Sequence, residues 1–92
     1  MYVVLCYDVE DNRRRGRLQR RLKRYLLPVQ KSVFEGELKH GLLDQVLGLV
    51  RRTVDLEVDT VRIYVLCRGC RASTLLLGTA EPVPDDRDPL FV

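Results

Sequence analysis

Residues 2–9 read Tyr-Val-Val-Leu-Cys-Tyr-Asp-Val, a run in which Asp8 is the only charge. A stretch this apolar, rich in Val and Tyr, suits a central β-strand buried on both faces. It fixes the first element and forces the rest of the chain to cover it. The following residues turn abruptly basic. Positions 10–24 hold eight of the 16 Lys and Arg against two acidic residues, for a local charge of +6. The net charge of the 92-residue chain is only +3, and residues 81–92 carry −3. One end is basic and the other acidic, and a basic helix favours polyanions.

The chain has the length of one small domain with a modest core, for which oligomerisation is a common remedy. With 46% apolar residues it reads as globular. No apolar run reaches the roughly 18 residues of a membrane helix, and the start lacks the early basic region of a signal peptide. A cytoplasmic location without membrane attachment is expected, and three Cys suit a reducing compartment.

Asp11 or Asn12 is expected to cap a helix over 12–26. Leu18, Leu22, Tyr25 and Leu26 share its apolar face, and Arg13, Arg14, Arg17, Arg20, Arg21 and Arg24 its polar face. The same rotation puts Arg15 near the apolar face, close to the end of the first strand. Pro28 is expected to end the helix. Residues 29–38 read as one bent strand or a short hairpin, with Gly36 as a bulge or bend. Leu42, Leu43, Val46, Leu47, Leu49 and Val50 predict a second amphipathic helix over 40–54. Strands are expected from Thr60 to Cys67 and from Ser73 to Leu77. This order matches a ferredoxin-like split βαβ plan, an α+β fold with two helices on one face of an antiparallel sheet. The expected division is a core domain over 1–80 and a C-terminal arm over 81–92, which holds Pro82, Pro84 and Pro89.

Asp8 stands at a strand end, where ligands commonly gather in αβ sheets. Its alternatives are a cation ligand and a turn or capping residue. Magnesium is often held by one or two carboxylates plus substrate phosphates, so Asp8 doubled across a two-fold axis suits it. Seven Arg among residues 13–24 exceed ordinary solubilisation, and Arg suits bidentate phosphate contacts. Cys67-Arg-Gly-Cys70 is a lone CxxC. Zinc needs a second ligand pair, and a redox motif belongs at a helix start after a strand, whereas residues 71–77 read as a strand. The cysteines are therefore expected to be structural or incidental. Tyr7 and Phe34 read as core or interface residues, and base stacking is their functional alternative.

The start Met-Tyr-Val-Val-Leu-Cys-Tyr-Asp-Val, the run Asp11 to Arg17, Val29-Gln-Lys-Ser-Val-Phe-Glu35, Val61-Arg-Ile-Tyr64 and Asp88-Pro-Leu-Phe-Val92 together resemble the CRISPR-associated "Cas two" proteins. The resemblance spans nearly the whole chain in order. It implies a ferredoxin-like homodimer with facing sheets and a divalent cation, usually Mg2+, held by Asp8 at the two-fold axis. It also implies an endonuclease acting on single-stranded RNA or double-stranded DNA in spacer acquisition and antiviral defence. The alternative it carries is a non-catalytic, nucleic-acid-binding scaffold partnered by the CRISPR integrase subunit. Tyr7, Arg15, Arg17 and Phe34 match positions linked to activity or binding. A basic position of the family is Pro28 here. Leu90-Phe91-Val92 matches a segment that adds an edge strand to the partner subunit.

Overall fold

The structure, a computed structural model, describes residues 1–83. Its elements run β1 (Tyr2–Asp8), α1 (Asn12–Leu22), β2 (Leu27–Gln30), β3 (Val33–Glu37), α2 (Leu42–Thr53), β4 (Thr60–Leu66) and α3 (Arg68–Ala72). The sheet order is β2-β3-β1-β4 and every neighbouring pair is antiparallel. This is the expected ferredoxin-like plan. β1 is central, as its composition requires, with Leu5 opposite Phe34 on one side and Ile63 on the other.

Period-2 alternation sends Val3, Leu5 and Tyr7 to the helix-covered face, where they are buried with Leu18, Leu22, Phe34, Val46 and Val50. Fully burying one such side chain is worth roughly 1.5–3 kcal/mol. The opposite face carries Tyr2, Val4, Cys6 and Asp8. Only Tyr2 is buried there, Val4 and Cys6 are half-buried, and Asp8 is exposed. Burial of β1 on both faces, as its sequence suggests, is therefore complete on one face alone.

Asp11 caps α1, its Oδ2 accepting the Arg14 amide at 2.8 Å. The helix stops at Leu22, earlier than Pro28 would dictate. The amides of Tyr25 and Leu26 both bond to the Leu22 carbonyl, tightening the chain into a turn before β2. Pro28 instead lies within β2, an edge strand where its missing amide is tolerated. Residues 27–37 form the hairpin alternative, turning at Ser32 with φ 67°. The bulge falls at Pro28/Gln30 and not at Gly36. Gly36 serves close packing: a Cβ there would meet Leu26 Cδ2 at 3.1 Å.

The strand expected from Ser73 to Leu77 is absent. A single helical turn, α3, follows β4 directly, and residues 73–83 run irregularly. Leu75 and Leu77 are each more than four-fifths exposed, and this apolar stretch joins no sheet among the described residues. The expected edge strand at Leu90-Phe91-Val92, and the arm beyond Val83, lie outside the described residues.

Candidate functional site

The chain from β1 to α1 needs only Val9, Glu10 and Asp11, so Asp8 and the start of the basic helix meet at one end of the sheet. Asp8 pairs with Thr60 across β1 and β4 and faces away from the helices. Its carboxylate is exposed and takes part in no hydrogen bond or ion pair among the described residues. Arg15 anchors the loop beside it. One guanidinium nitrogen donates to the carbonyls of Val9 at 3.0 Å and Glu10 at 3.2 Å, and the other donates to Asn12 Oδ1. Arg15 thus lies close to the strand end, as the helical rotation predicts, and it fixes the backbone that presents Asp8.

The basic helix divides into structural and exposed arginines. Arg14 donates from Nε to Asp59 Oδ2 at 2.7 Å and from Nη2 to Oδ1 at 3.1 Å. The Asp59 side chain is 2% exposed, and it also accepts the Asp55 amide at 2.9 Å. The guanidinium beside it holds the Asp59 carboxyl below the usual carboxylate range, and the carboxylate in turn raises Arg14. Arg21 donates to Thr53 Oγ1 at 2.8 Å, tying α1 to α2. Arg14 is tied to Asp59 by two donors and Arg21 gives one donor to α2, so the polyanion role expected of these two arginines competes with contacts inside the chain. Arg13, Arg17 and Arg20 stay exposed, with no side-chain hydrogen bond among the described residues. At 3.6 residues per turn they fall within roughly 60° of one another, and Arg24 extends the run into the following turn. No acidic residue occupies the first turn of α1. Cations crowding that positive end are unfavourable for the helix, which points to a use outside folding.

Tyr7 and Phe34 are 6% and 2% exposed, with ring centroids 6.1 Å apart. The Tyr7 hydroxyl accepts from Gln19 Nε2 at 2.8 Å. The structure places both rings in the core, as their apolar context predicts. Their edges reach only the floor of a shallow cavity of about 210 Å³ between Lys23 and Lys31. Sequence reasoning missed Asp59, which lies 45 positions from its partner. The strand expected over residues 71–77 is replaced by a helix start: Cys67 caps α3 directly after β4. The available signal was that Cys67 follows the strand pattern without a spacer.

The donor that Asp8 offers is a hard carboxylate oxygen, which suits magnesium. Among the described residues no three His, Cys, Asp or Glu gather as they do in a closed cage. No helix among those residues is long and apolar enough to cross a membrane.

A four-stranded antiparallel sheet in the order β2-β3-β1-β4, with α1 and α2 packed on one face, defines the ferredoxin-like α+β class. Comparison with known proteins narrows this. The sequence profile described as CRISPR associated protein Cas2 matches residues 1–74, and the chain belongs to that family. It is 39% identical over 66 residues to the CRISPR-associated endoribonuclease Cas2 of Thermotoga maritima, covering 72% of this chain and 75% of that one. It is 32% identical over 89 residues to the CRISPR-associated endoribonuclease Cas2 1 of Chloroflexus aurantiacus, covering 96% of both. Among solved structures, Streptococcus pyogenes Cas2 superposes with a TM-score of 0.71 at 29% identity, over 85% of this chain and all of that one. A hypothetical protein of Thermus thermophilus superposes with a TM-score of 0.77 at 36% identity, over 91% and 96%.

The Arg14–Asp59 pair makes a stability prediction. A folded-state carboxyl held low contributes stability that is full above its unfolded value, about pH 4, and is lost as pH falls below it. Asp59→Asn should lower the melting temperature at pH 7 by about 5–10 °C, because it replaces a desolvated charged pair with a weaker one. The gap from the unsubstituted protein should shrink at pH 3. Thermal melts at the two pH values check this, and a gap of equal size at both would count against the pair.

Proposed function

We propose that this chain is a CRISPR-associated, divalent-metal-dependent endoribonuclease that works as a homodimer. The observation that carries the reading is the exposed, unencumbered Asp8 carboxylate at the strand end beside the arginine helix. The names of the relatives, endoribonuclease in each case, support the choice of RNA. The uncovered sheet face, with Val4, Cys6 and Tyr64, suits pairing with a second copy, and two-fold pairing doubles Asp8.

Asp8 from each copy would hold the cation, usually Mg2+. A bound divalent cation supplies acidified water and neutralises charge at the scissile phosphate. Arg13, Arg17, Arg20 and Arg24 bind the phosphate backbone and set the strand's path toward Asp8. Arg15 keeps the loop of Val9 and Glu10 in place, so the carboxylate is presented at a fixed point. Cutting of a labelled single-stranded RNA by purified protein in magnesium, and its loss in EDTA, is the expected result. Equal cleavage in EDTA would sink the reading.

One observation favours a second role. A chain that brings one carboxylate and four exposed arginines to the site is better equipped to hold nucleic acid than to cut it. The dimer would then also serve as a magnesium-independent scaffold beside an integrase in spacer acquisition. Duplex DNA bound equally well in EDTA and magnesium, without cleavage, is the expected signature.

A further inference from the structure

Cys67 and Cys70 lie at the opposite end of the sheet from Asp8. Cys67 follows the last residue of β4, Leu66, which pairs with Tyr2, whereas Asp8 pairs with Thr60 at the first. Seven strand residues separate the two ends, about 20 Å. The thiol pair is therefore independent of the candidate metal site.

Both thiols are free and exposed. Cys67 Sγ accepts the Cys70 amide at 3.4 Å, and the Cys67 carbonyl accepts the Arg71 amide at 3.0 Å. Residues three apart on one helical turn have Cα atoms about 5–6 Å apart, inside the span of a disulfide. A Cβ at Gly69 would stand 3.9 Å from Cys67 Sγ, so the glycine leaves that sulfur open to approach. Cys67 also lines an open cavity of about 630 Å³ with Arg68, Arg71, Tyr2 and Leu66, and Cys70 does not. Both sulfurs are exposed, and of the two it is Cys67 that borders the cavity.

We propose that Cys67 and Cys70 form a thiol–disulfide exchange site for a low-molecular-weight, carboxylate-bearing disulfide, with Cys67 attacking and Cys70 resolving. The Cys67 thiolate attacks one sulfur of the small disulfide, forms a mixed disulfide and expels the other half as a thiolate. Cys70, losing its proton, attacks the Cys67 sulfur and expels the second half. The protein loses two electrons and two protons, and the small disulfide becomes two thiols. Arg68 gives the cavity a cationic side for the carboxylates, while Arg71 lies over the Tyr2 ring and donates to the Val83 carbonyl, and Glu37 borders the same cavity. The Cys70 amide and thiol hold Cys67 below its ordinary value, while donation to Cys67 pushes Cys70 up. This ordering matches the roles that the cavity assigns.

The test uses the full chain carrying Cys6→Ser, with oxidised glutathione at neutral pH, acid quenching and intact mass. The expected product has lost two hydrogens and retains no glutathione, and digestion links Cys67 to Cys70. Adding Cys70→Ser should trap one glutathione on Cys67. Adding Cys67→Ser should slow reaction at Cys70 at least ~10-fold. Circular dichroism verifies that the variants are folded. A product with no internal disulfide, or a Cys67→Ser rate equal to that of the Cys70→Ser variant, would overturn the proposal.

Discussion

Replacing Asp8 by Asn should reduce magnesium-dependent RNA cleavage by on the order of 10²-fold or more, since the proposed function rests its cation on this carboxylate. Folding should be nearly indifferent. The side chain is exposed and holds no partner among the described residues, so its loss sits with surface substitutions, within about 0.5 kcal/mol. The amide also removes a repulsive charge from any pair of Asp8 residues at a two-fold axis, so the dimer should persist or tighten. Cleavage rates across a magnesium titration, beside melting curves and sedimentation, separate these effects. Full activity in the highly purified variant would remove Asp8 from catalysis. Lost activity with a collapsed melting temperature would assign it a structural role.

Replacing Arg13, Arg17 and Arg20 together by Gln should weaken nucleic-acid binding by roughly 10²-fold and reduce the salt slope by about three, one unit for each phosphate that is no longer neutralised. These side chains make no hydrogen bond or ion pair among the described residues, so the melting temperature should change little: losing Arg13 relieves the positive end of α1, and losing Arg20 removes a favourable cation from its last turn. Arg14→Gln is the informative contrast. It leaves the buried Asp59 carboxylate without its partner, so it should lower thermal stability and leave the salt slope nearly unchanged. Filter binding between 50 and 300 mM salt, about a sixfold range, reads the slope. A slope unmoved by the triple substitution would place the phosphate path elsewhere.

The difference between Arg14 and its neighbours marks where sequence reading stops. The spacing of α1 separates its apolar face correctly and puts Arg15 at the strand end. It cannot separate Arg14 from Arg13, because the difference is Asp59, which reaches α1 only after the chain has crossed α2. The central strand is legible because its apolar run has one role in a domain this small. The segment after β4 is not. Ser73 to Leu77 has strand composition, but strands need a partner, and this segment pairs with none among the described residues. That strand composition also hides the helical turn that brings Cys67 and Cys70 together. Pro28 looks like a helix terminator in sequence, yet an edge strand meets its constraint equally well.

The position of Pro28 also bears on how the sheet can grow. One margin of the sheet is β2, four residues long, lacking one amide and offset by the Pro28/Gln30 bulge. The other is β4, seven residues long with unbroken register to β1. The first margin is blunted and the second can accept a strand. A chain with a single receptive margin cannot propagate sheet in both directions. Edge pairing of two copies through β4 would leave only blunted margins outward, so it would close and not run on into a fibre.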